Sequence, residues 1–181
     1  MTTPSYISYI FIDGMLLLFL TAIAWLTHAT TRLVVGALVV GTVGALLHVG
    51  HVVLGQTMGW WSTSSLTLPH AHWLMSVGLA FWLGTGVGLI CWQIVTTLGA
   101  RGLVGMLTFM AGFGLLLDSV GSLVSQALVF APGLIPRISD GVFWVTLTVL
   151  SQGIMRLIAG TIPRDSSEAL SRIDARKQNA A

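Results

Sequence analysis

Four of the five histidines in this chain lie in two closely spaced pairs, and imidazole is a side chain that can do chemistry. His48 and His51 are three residues apart, a spacing that puts two side chains on one face of a helix. His70 and His72 form the second pair. Neutral imidazole is a common ligand of haem iron, copper and zinc. Two histidines on different helices can hold a haem from both faces, whereas a single histidine leaves one position open for chemistry.

The second chemically informative residue is Asp118, which lies inside a long apolar stretch. A carboxylate at the centre of a bilayer costs about 2.5 kcal/mol or more, so its presence needs an explanation. Ser122 and Ser125 continue its helical face. A protonated Asp118 would act as a general acid, and an ionised one would balance a cation. The alternative is a structural hydrogen bond to a neighbouring helix, with Gln152 or Thr148 as the partner.

The composition decides what kind of chain must position these residues. Hydrophobic residues make up 55% of the 181 residues and charged residues only 8%, and the mean hydropathy is +0.90. A soluble domain carries about 25% charged residues, so a soluble globular enzyme is excluded, and disorder is excluded by the same numbers. Eight basic against six acidic residues form no basic stripe, which excludes nucleic acid as a partner. The composition predicts a polytopic integral membrane protein embedded in the lipid bilayer.

The apolar segments give the predicted fold class. A bilayer core of about 30 Å needs roughly 20 apolar residues per helix. Five segments reach that length, so we expect an all-α bundle of five transmembrane helices in one domain over residues 1–163. A polar tail follows over residues 164–181, and the longest connection, from Gln56 to Pro69, is expected to be a loop or short helix at the interface. The predicted spans are Tyr6–Leu26, Leu33–Leu54, His72–Leu98, Leu103–Phe130 and Gly141–Ile162.

The positive charges predict the orientation of the bundle. Arg32, Arg101 and the basic residues of the tail lie on one side, and the other side has only Arg137, offset by Asp140. The positive-inside rule then puts the N-terminus outside and the tail in the cytoplasm, and we expect a bacterial cytoplasmic membrane. All four paired histidines lie near the outer face in this orientation. The alternative is that they are ordinary interfacial histidines, solvated or hydrogen-bonded to the backbone.

Small residues indicate how the helices pack. Gly84 and Gly88 form a small-xxx-small pair, which lets helices approach closely in lipid. Packing within the bundle is the expected use of this pair, and self-association is the alternative. Five short helices enclose little volume, so we expect a homo-oligomer or a subunit of a larger membrane complex. Cys91, the one cysteine, is expected to be a buried small apolar residue.

The stretch from Pro69 to Phe81, PHAHWLMSVGLAF, resembles the start of a span in small membrane isomerases. These are the styrene-oxide isomerase and hydroxylaminobenzene mutase group, which are short helical bundles. The resemblance runs from this span to the start of the tail, and it implies that His72 binds haem b, as a histidine at such a span start does in the styrene-oxide isomerase type. The chain departs from the group in having Val77-Gly78 where an Asn-Gly pair is expected, and in having an additional first span.

Together these patterns predict a haem b or transition-metal site near the outer face, with His72 and His51 as the first ligands and His48 and His70 as substitutes. Asp118 is the predicted catalytic acid or counter-ion. Such a site would isomerise or oxidise a small apolar molecule, or exchange electrons with a quinone as a redox subunit. Two alternatives stay open. One is a transporter or substrate-binding subunit that uses Asp118 and the outer histidines, and the other is a structural subunit of a membrane complex.

Overall fold

The computed structural model describes residues 6–26, 29–63, 69–125 and 128–160. For residues 6–13, 63, 69–76, 117–125 and 128–130 it describes the backbone and not the side chains. The predicted polar tail, residues 164–181, lies outside the described residues.

The described chain folds into four helices and one short two-stranded ribbon. The helices are α1 (Tyr6–Leu26), α2 (Thr31–Thr57), α3 (Pro69–Ser125) and α4 (Ile135–Ala159), and the strands are β1 (Trp61–Thr63) and β2 (Leu128–Phe130). Within the described residues, three helical stretches are long and apolar enough to cross a membrane, namely Thr31–Thr57, Val77–Leu116 and Ile135–Ala159. The expectation of an all-helical integral membrane protein is confirmed at this level.

Helix α3 is broken at Gly99, where the backbone has φ 60° and ψ −139°. Glycine adopts this conformation because it has no β carbon. The break separates a first arm, residues 69–98, from a second arm, residues 100–125. Trp82 and Ile90 of the first arm line the same cavity as Phe109 and Phe113 of the second. The two arms therefore run antiparallel and pack side by side. The sequence predicts a turn at this place, between the third and fourth spans.

Local chemistry fixes the ends of the other helices. The side chain of Thr30 accepts a hydrogen bond from Leu33 N at 3.4 Å and caps the start of α2. Pro136 lies in the first turn of α4. A backbone N–H in this turn makes no hydrogen bond within the helix, so proline, which lacks the N–H, is tolerated there. Gly160, with φ 95°, ends α4 at Ala159. The predicted end at Ile162, before Pro163, is therefore a few residues too late.

The β-ribbon was not predicted. The Gln56–Pro69 connection was expected to be a loop or short helix, but Trp61–Thr63 pairs antiparallel with Leu128–Phe130. The prediction that the fourth span continues as a helix to Phe130 is wrong for the same reason. A short apolar run such as Leu-Val-Phe suits a strand as well as a helix, and pairing across the chain decides between them.

Small residues bring α2 and the first arm of α3 close together. A β carbon at Gly84 would lie 3.1 Å from the α carbon of Gly41, and one at Gly88 would lie 3.2 Å from that of Ala37. The space beside Gly41 is filled by the Thr85 hydroxyl and by Phe81. The expected role of the small-xxx-small pair in packing within the bundle is confirmed. The second arm of α3 meets α4 through another close contact, at Gly114 and Gly141.

Candidate functional site

An imidazole–carboxylate pair lies where α2 approaches the start of α4. Nε2 of His51 is 3.4 Å from Oδ1 of Asp140, and the two side chains are only 12% and 14% exposed. This separation is an ion-pair distance but exceeds the 2.7–3.2 Å of a hydrogen bond. Nε2 of His51 has no hydrogen-bond partner among the described residues. A movement of a few tenths of an ångström would bring the two groups into direct contact.

Aromatic rings surround His51. Its ring centroid lies 4.9 Å from that of Phe143, with 23° between the planes, and 4.9 Å from that of Trp61, with 52° between the planes. His48, one turn earlier on α2, also contacts Phe143, edge to face at 6.2 Å. The predicted shared face of His48 and His51 is confirmed by this common neighbour. The aromatic rings hold the His51 imidazole in place while its Nε2 faces Asp140.

The β-ribbon delivers Trp61 to this site. Gly59, with φ 68°, turns the chain after α2, and Trp60 N donates to Gly55 O at 2.8 Å. Ala131 N donates to Trp60 O at 2.7 Å and extends the pairing of the strands. The indole of Trp61 then lies on Gly55, where any β carbon would collide with it. Trp61 is 5% exposed and belongs to the wall of the site.

The start of α4 is positioned by the second arm of α3. A β carbon at Gly114 would lie 2.8 Å from the α carbon of Gly141 and 2.9 Å from the backbone oxygen of Asp140. Only a residue without a side chain allows the two helices to approach this closely. The contact fixes the helix turn that carries Asp140 and Phe143 and so fixes their distance from His51.

The second histidine pair lies in the first turn of α3, which begins at Pro69 shortly after β1. Strand β1 follows α2 in the chain and pairs with β2, which follows α3, so the backbone of His70 and His72 starts at the end of the bundle that carries the His51–Asp140 pair. Their side chains lie outside the described residues, and so does the side chain of Asp118 in the second arm. The ligand role of His70 and His72 and the acid role of Asp118 stay predictions.

Among the side chains that the structure describes, no group of three or more His, Cys, Asp or Glu residues is arranged to hold a metal ion. His48, His51 and Asp140 lie near one another, but Nε2 of His51 is directed at the carboxylate. A metal-bound imidazole commonly gives its other ring nitrogen to a carboxylate. The His51–Asp140 pair is therefore suited either to support a metal ligand or to transfer a proton.

Further polar groups lie deeper on the buried face of α4. Thr148 and Ser151 are fully buried, and Gln152 is 5% exposed. The Thr148 hydroxyl donates to Trp144 O at 2.8 Å. Ser151 Oγ and both polar atoms of the Gln152 amide have no well-formed hydrogen bond within the described part of the chain. The Cys91 thiol interacts with this amide and is fully buried, as expected for a small core residue.

The sequence alone does not assign Asp140, Phe143 or Trp61 to the site. It indicates for Asp140 only a charge that offsets Arg137, and it gives Phe143 no role. Asp140 did carry a signal, because it is an acidic residue at the start of a span on the same side as the paired histidines. Phe143 carried none, since an aromatic residue in an apolar span is ordinary.

Comparison of the chain with known protein families, with curated proteins and with solved structures gives no match. The fold of the chain defines its class. It is a helical integral membrane protein with three helical stretches long and apolar enough to span a bilayer. Its distinguishing feature is the His51–Asp140 pair in an aromatic enclosure at one end of the bundle.

Proposed function

We propose that this protein acts on a small apolar molecule at the end of the bundle that carries His51 and Asp140. The observation that carries the proposal is the 3.4 Å separation of His51 Nε2 and Asp140 Oδ1 beside two aromatic rings. Imidazole exchanges protons near neutral pH, and a carboxylate beside it orients the ring and stabilises the imidazolium. The pair thus supplies a proton donor and acceptor at a site that an apolar molecule reaches from the bilayer.

The proposal includes five membrane crossings with the N-terminus outside. A straight helix of the length of α3 would be about 85 Å long, far more than the roughly 30 Å of a bilayer core. The break at Gly99 supports two crossings within α3, in addition to those of α1, α2 and α4. The basic residues Arg32 and Arg101 lie at the opposite end from His51, which supports an outer location of the site.

The proposed cofactor is haem b or a transition metal, held by His72 with His70 as its substitute. The placement of the α3 start at the same end as the His51–Asp140 pair supports this assignment. A bound haem or metal supplies redox or Lewis-acid chemistry that amino acids lack. His51 holds or releases a proton at Nε2, Asp140 orients it, and Trp61 and Phe143 limit the access of water. Asp118 is the proposed second acid or counter-ion.

The visible spectrum of the detergent-purified protein, oxidised and then reduced with dithionite, tests the cofactor. We expect a Soret band and sharp reduced α and β bands, lost in His72→Ala and retained in Asp140→Asn. His28→Ala is the matched control, because the sequence puts His28 at the other membrane face. Loss of the bands in His51→Ala instead would make His51 the ligand. A featureless spectrum without stoichiometric metal removes the cofactor from the proposal.

A transporter is the second candidate, and the buried polar residues of α4 favour it. Thr148 and Gln152 are one helical turn apart and Asp140 precedes Thr148 by about two turns, so the three polar groups are spaced along the helix toward the opposite membrane face. A solute or proton could use such a series of polar groups. Uptake driven by a pH gradient into proteoliposomes would then fall strongly in Asp140→Asn and Asp118→Asn. Equal uptake by the wild type and both variants contradicts this candidate.

A further inference from the structure

A narrow apolar cavity of about 130 Å³ lies between α1, both arms of α3 and α4. Trp82, Gly86 and Ile90 form one side of it, and Phe113 and Trp144 lie on another. Neither His51 nor Asp140 lines the cavity, although Trp144 packs on Phe143, the ring that stacks on His51. All of the lining residues are apolar or aromatic, so any occupant must be apolar along the part that enters.

The lining of the cavity is longest on the first arm of α3. It extends there from Trp82 to Ile90, about 12 Å along the helix axis at 1.5 Å per residue, and on the second arm from Phe109 to Phe113, about 6 Å. A volume of about 130 Å³ spread over such lengths leaves a slot a few ångströms wide, which favours a chain over a compact ring. Its long direction follows the helices, and the acyl chains of a bilayer run in the same direction as helices that cross it.

The slot is partly open, and its edge consists of residues that belong to the lateral surface of the bundle. Phe19 of α1 is 58% exposed and Phe109 of the second arm is 61% exposed, although both line the cavity. At the depth of the apolar spans, this lateral surface faces lipid. Lipid chains thus have direct sideways access, while a headgroup stays at the interface.

We propose that this cavity binds one acyl chain of a bilayer phospholipid, which completes the packing between α1 and α3. Leu20 is a buried contact of α1 at this place, and a β carbon at Gly86 would lie 3.3 Å from its Cδ2. A bound chain contacts the aromatic wall of Phe109, Phe113 and Trp144. Phe113 and Trp144 are 5.2 Å apart and perpendicular, and Phe109 stacks on Phe113 at 6.1 Å. The inference rests on the membrane crossings of the proposed function, but not on the roles proposed for His51, Asp140 or a cofactor.

Quenching of tryptophan fluorescence by brominated lipid tests the proposal. The full chain is reconstituted in phosphatidylcholine with and without bromine atoms in the middle of one acyl chain. Trp144 lines the cavity and is 5% exposed, so bulk lipid does not reach it and only a chain in the cavity does. We expect Trp144→Phe to remove a measurable part of the quenchable fluorescence. Trp92→Phe is the matched control, because Trp92 is 7% exposed and does not line the cavity.

Filling the slot is the second measurement. Gly86→Leu should abolish the quenching of Trp144, whereas Gly86→Ala should retain it. If Trp144→Phe and Trp92→Phe change the quenchable fraction of the fluorescence equally, the proposal is overturned. This comparison does not require the Gly86→Leu protein to fold. Quenching of Trp144 that persists unchanged in a folded Gly86→Leu protein would also overturn it. His51→Ala should leave the quenching unchanged, so failure of the proposed function and failure of this inference are distinguishable.

Discussion

The indole ring of Trp61 occupies the space that a β carbon on Gly55 would need. The Trp61 side chain therefore packs directly on the backbone of α2 at Gly55. This contact puts Trp61 beside His51, with ring centroids 4.9 Å apart. The enclosure of the histidine thus depends on a glycine that has no chemical role of its own.

Gly55→Val should displace Trp61 and destabilise the protein. The branched side chain cannot share the space with the ring, and overpacking of this kind costs about 1–3 kcal/mol. Thermal unfolding in detergent, followed by circular dichroism, measures the loss. Gly50→Val is the control, since Gly50 lies on the same helix and a β carbon there meets no atom within 4 Å. Equal unfolding temperatures of the two variants would contradict the prediction.

His51 and Asp140 should be energetically coupled. Asp140→Leu leaves the imidazole without its carboxylate, and an unsatisfied buried polar group costs about 1–3 kcal/mol. His51→Phe places a ring of similar shape between the same neighbours. The double variant should then be more stable than the sum of the single changes predicts, by about 0.5 kcal/mol or more. Arg137→Gln combined with His51→Phe is the control, because Arg137 is exposed near Asp140, and strict additivity in both pairs would refute the coupling.

Gly84→Leu should separate α2 from the first arm of α3. Its β carbon would lie 3.1 Å from the α carbon of Gly41, and a backbone atom cannot rotate away. We expect the free energy of unfolding to fall by about 1–3 kcal/mol, and the variant to aggregate during size-exclusion chromatography. Gly105→Leu, elsewhere on α3, meets no atom within 4 Å and is the matched change. A Gly84→Leu protein that elutes and melts like Gly105→Leu would show that the contact is not close.

Leu147→Ala should open a cavity where α4 faces the rest of the bundle. Leu147 is 1% exposed, and loss of a buried leucine side chain costs about 2–5 kcal/mol in water-soluble proteins. We expect the lower end of that range, because lipid solvates leucine well and only the packing contacts are lost. Leu157→Ala is the control, since Leu157 is 87% exposed. The difference between their unfolding free energies in mixed micelles measures the effect.

The helices could be predicted because length and hydropathy alone determine them. The limits of α1 and the turn at Gly99 follow from the apolar runs and from the glycines that interrupt them. The packing role of Gly84 and Gly88 was also readable, because a spacing of four places both on one helical face. None of these features depends on knowing which distant residues meet.

The His51–Asp140 pair and the β-ribbon depend on contacts between residues that are far apart in the sequence, so the sequence alone does not predict them. Asp140 is far from His51 in the chain, and only the packing of α2 against α4 brings them within 3.4 Å. Likewise, Leu128–Phe130 becomes a strand because Trp61–Thr63 lies opposite to it. The site residues on α3 stay predictions from their types and spacing.

The ribbon also restricts how the bundle moves. Its two strands flank α3 in the chain, one before Pro69 and one after Ser125, and they are hydrogen-bonded to each other. The two ends of α3 are thereby held together at one end of the bundle, while the arms join at Gly99 at the other end. Sliding of one arm along its neighbour would break this pairing. Any separation of the two arms that keeps both ends joined must therefore be an outward bowing of the arms between Gly99 and the ribbon, which widens the gap halfway along their length.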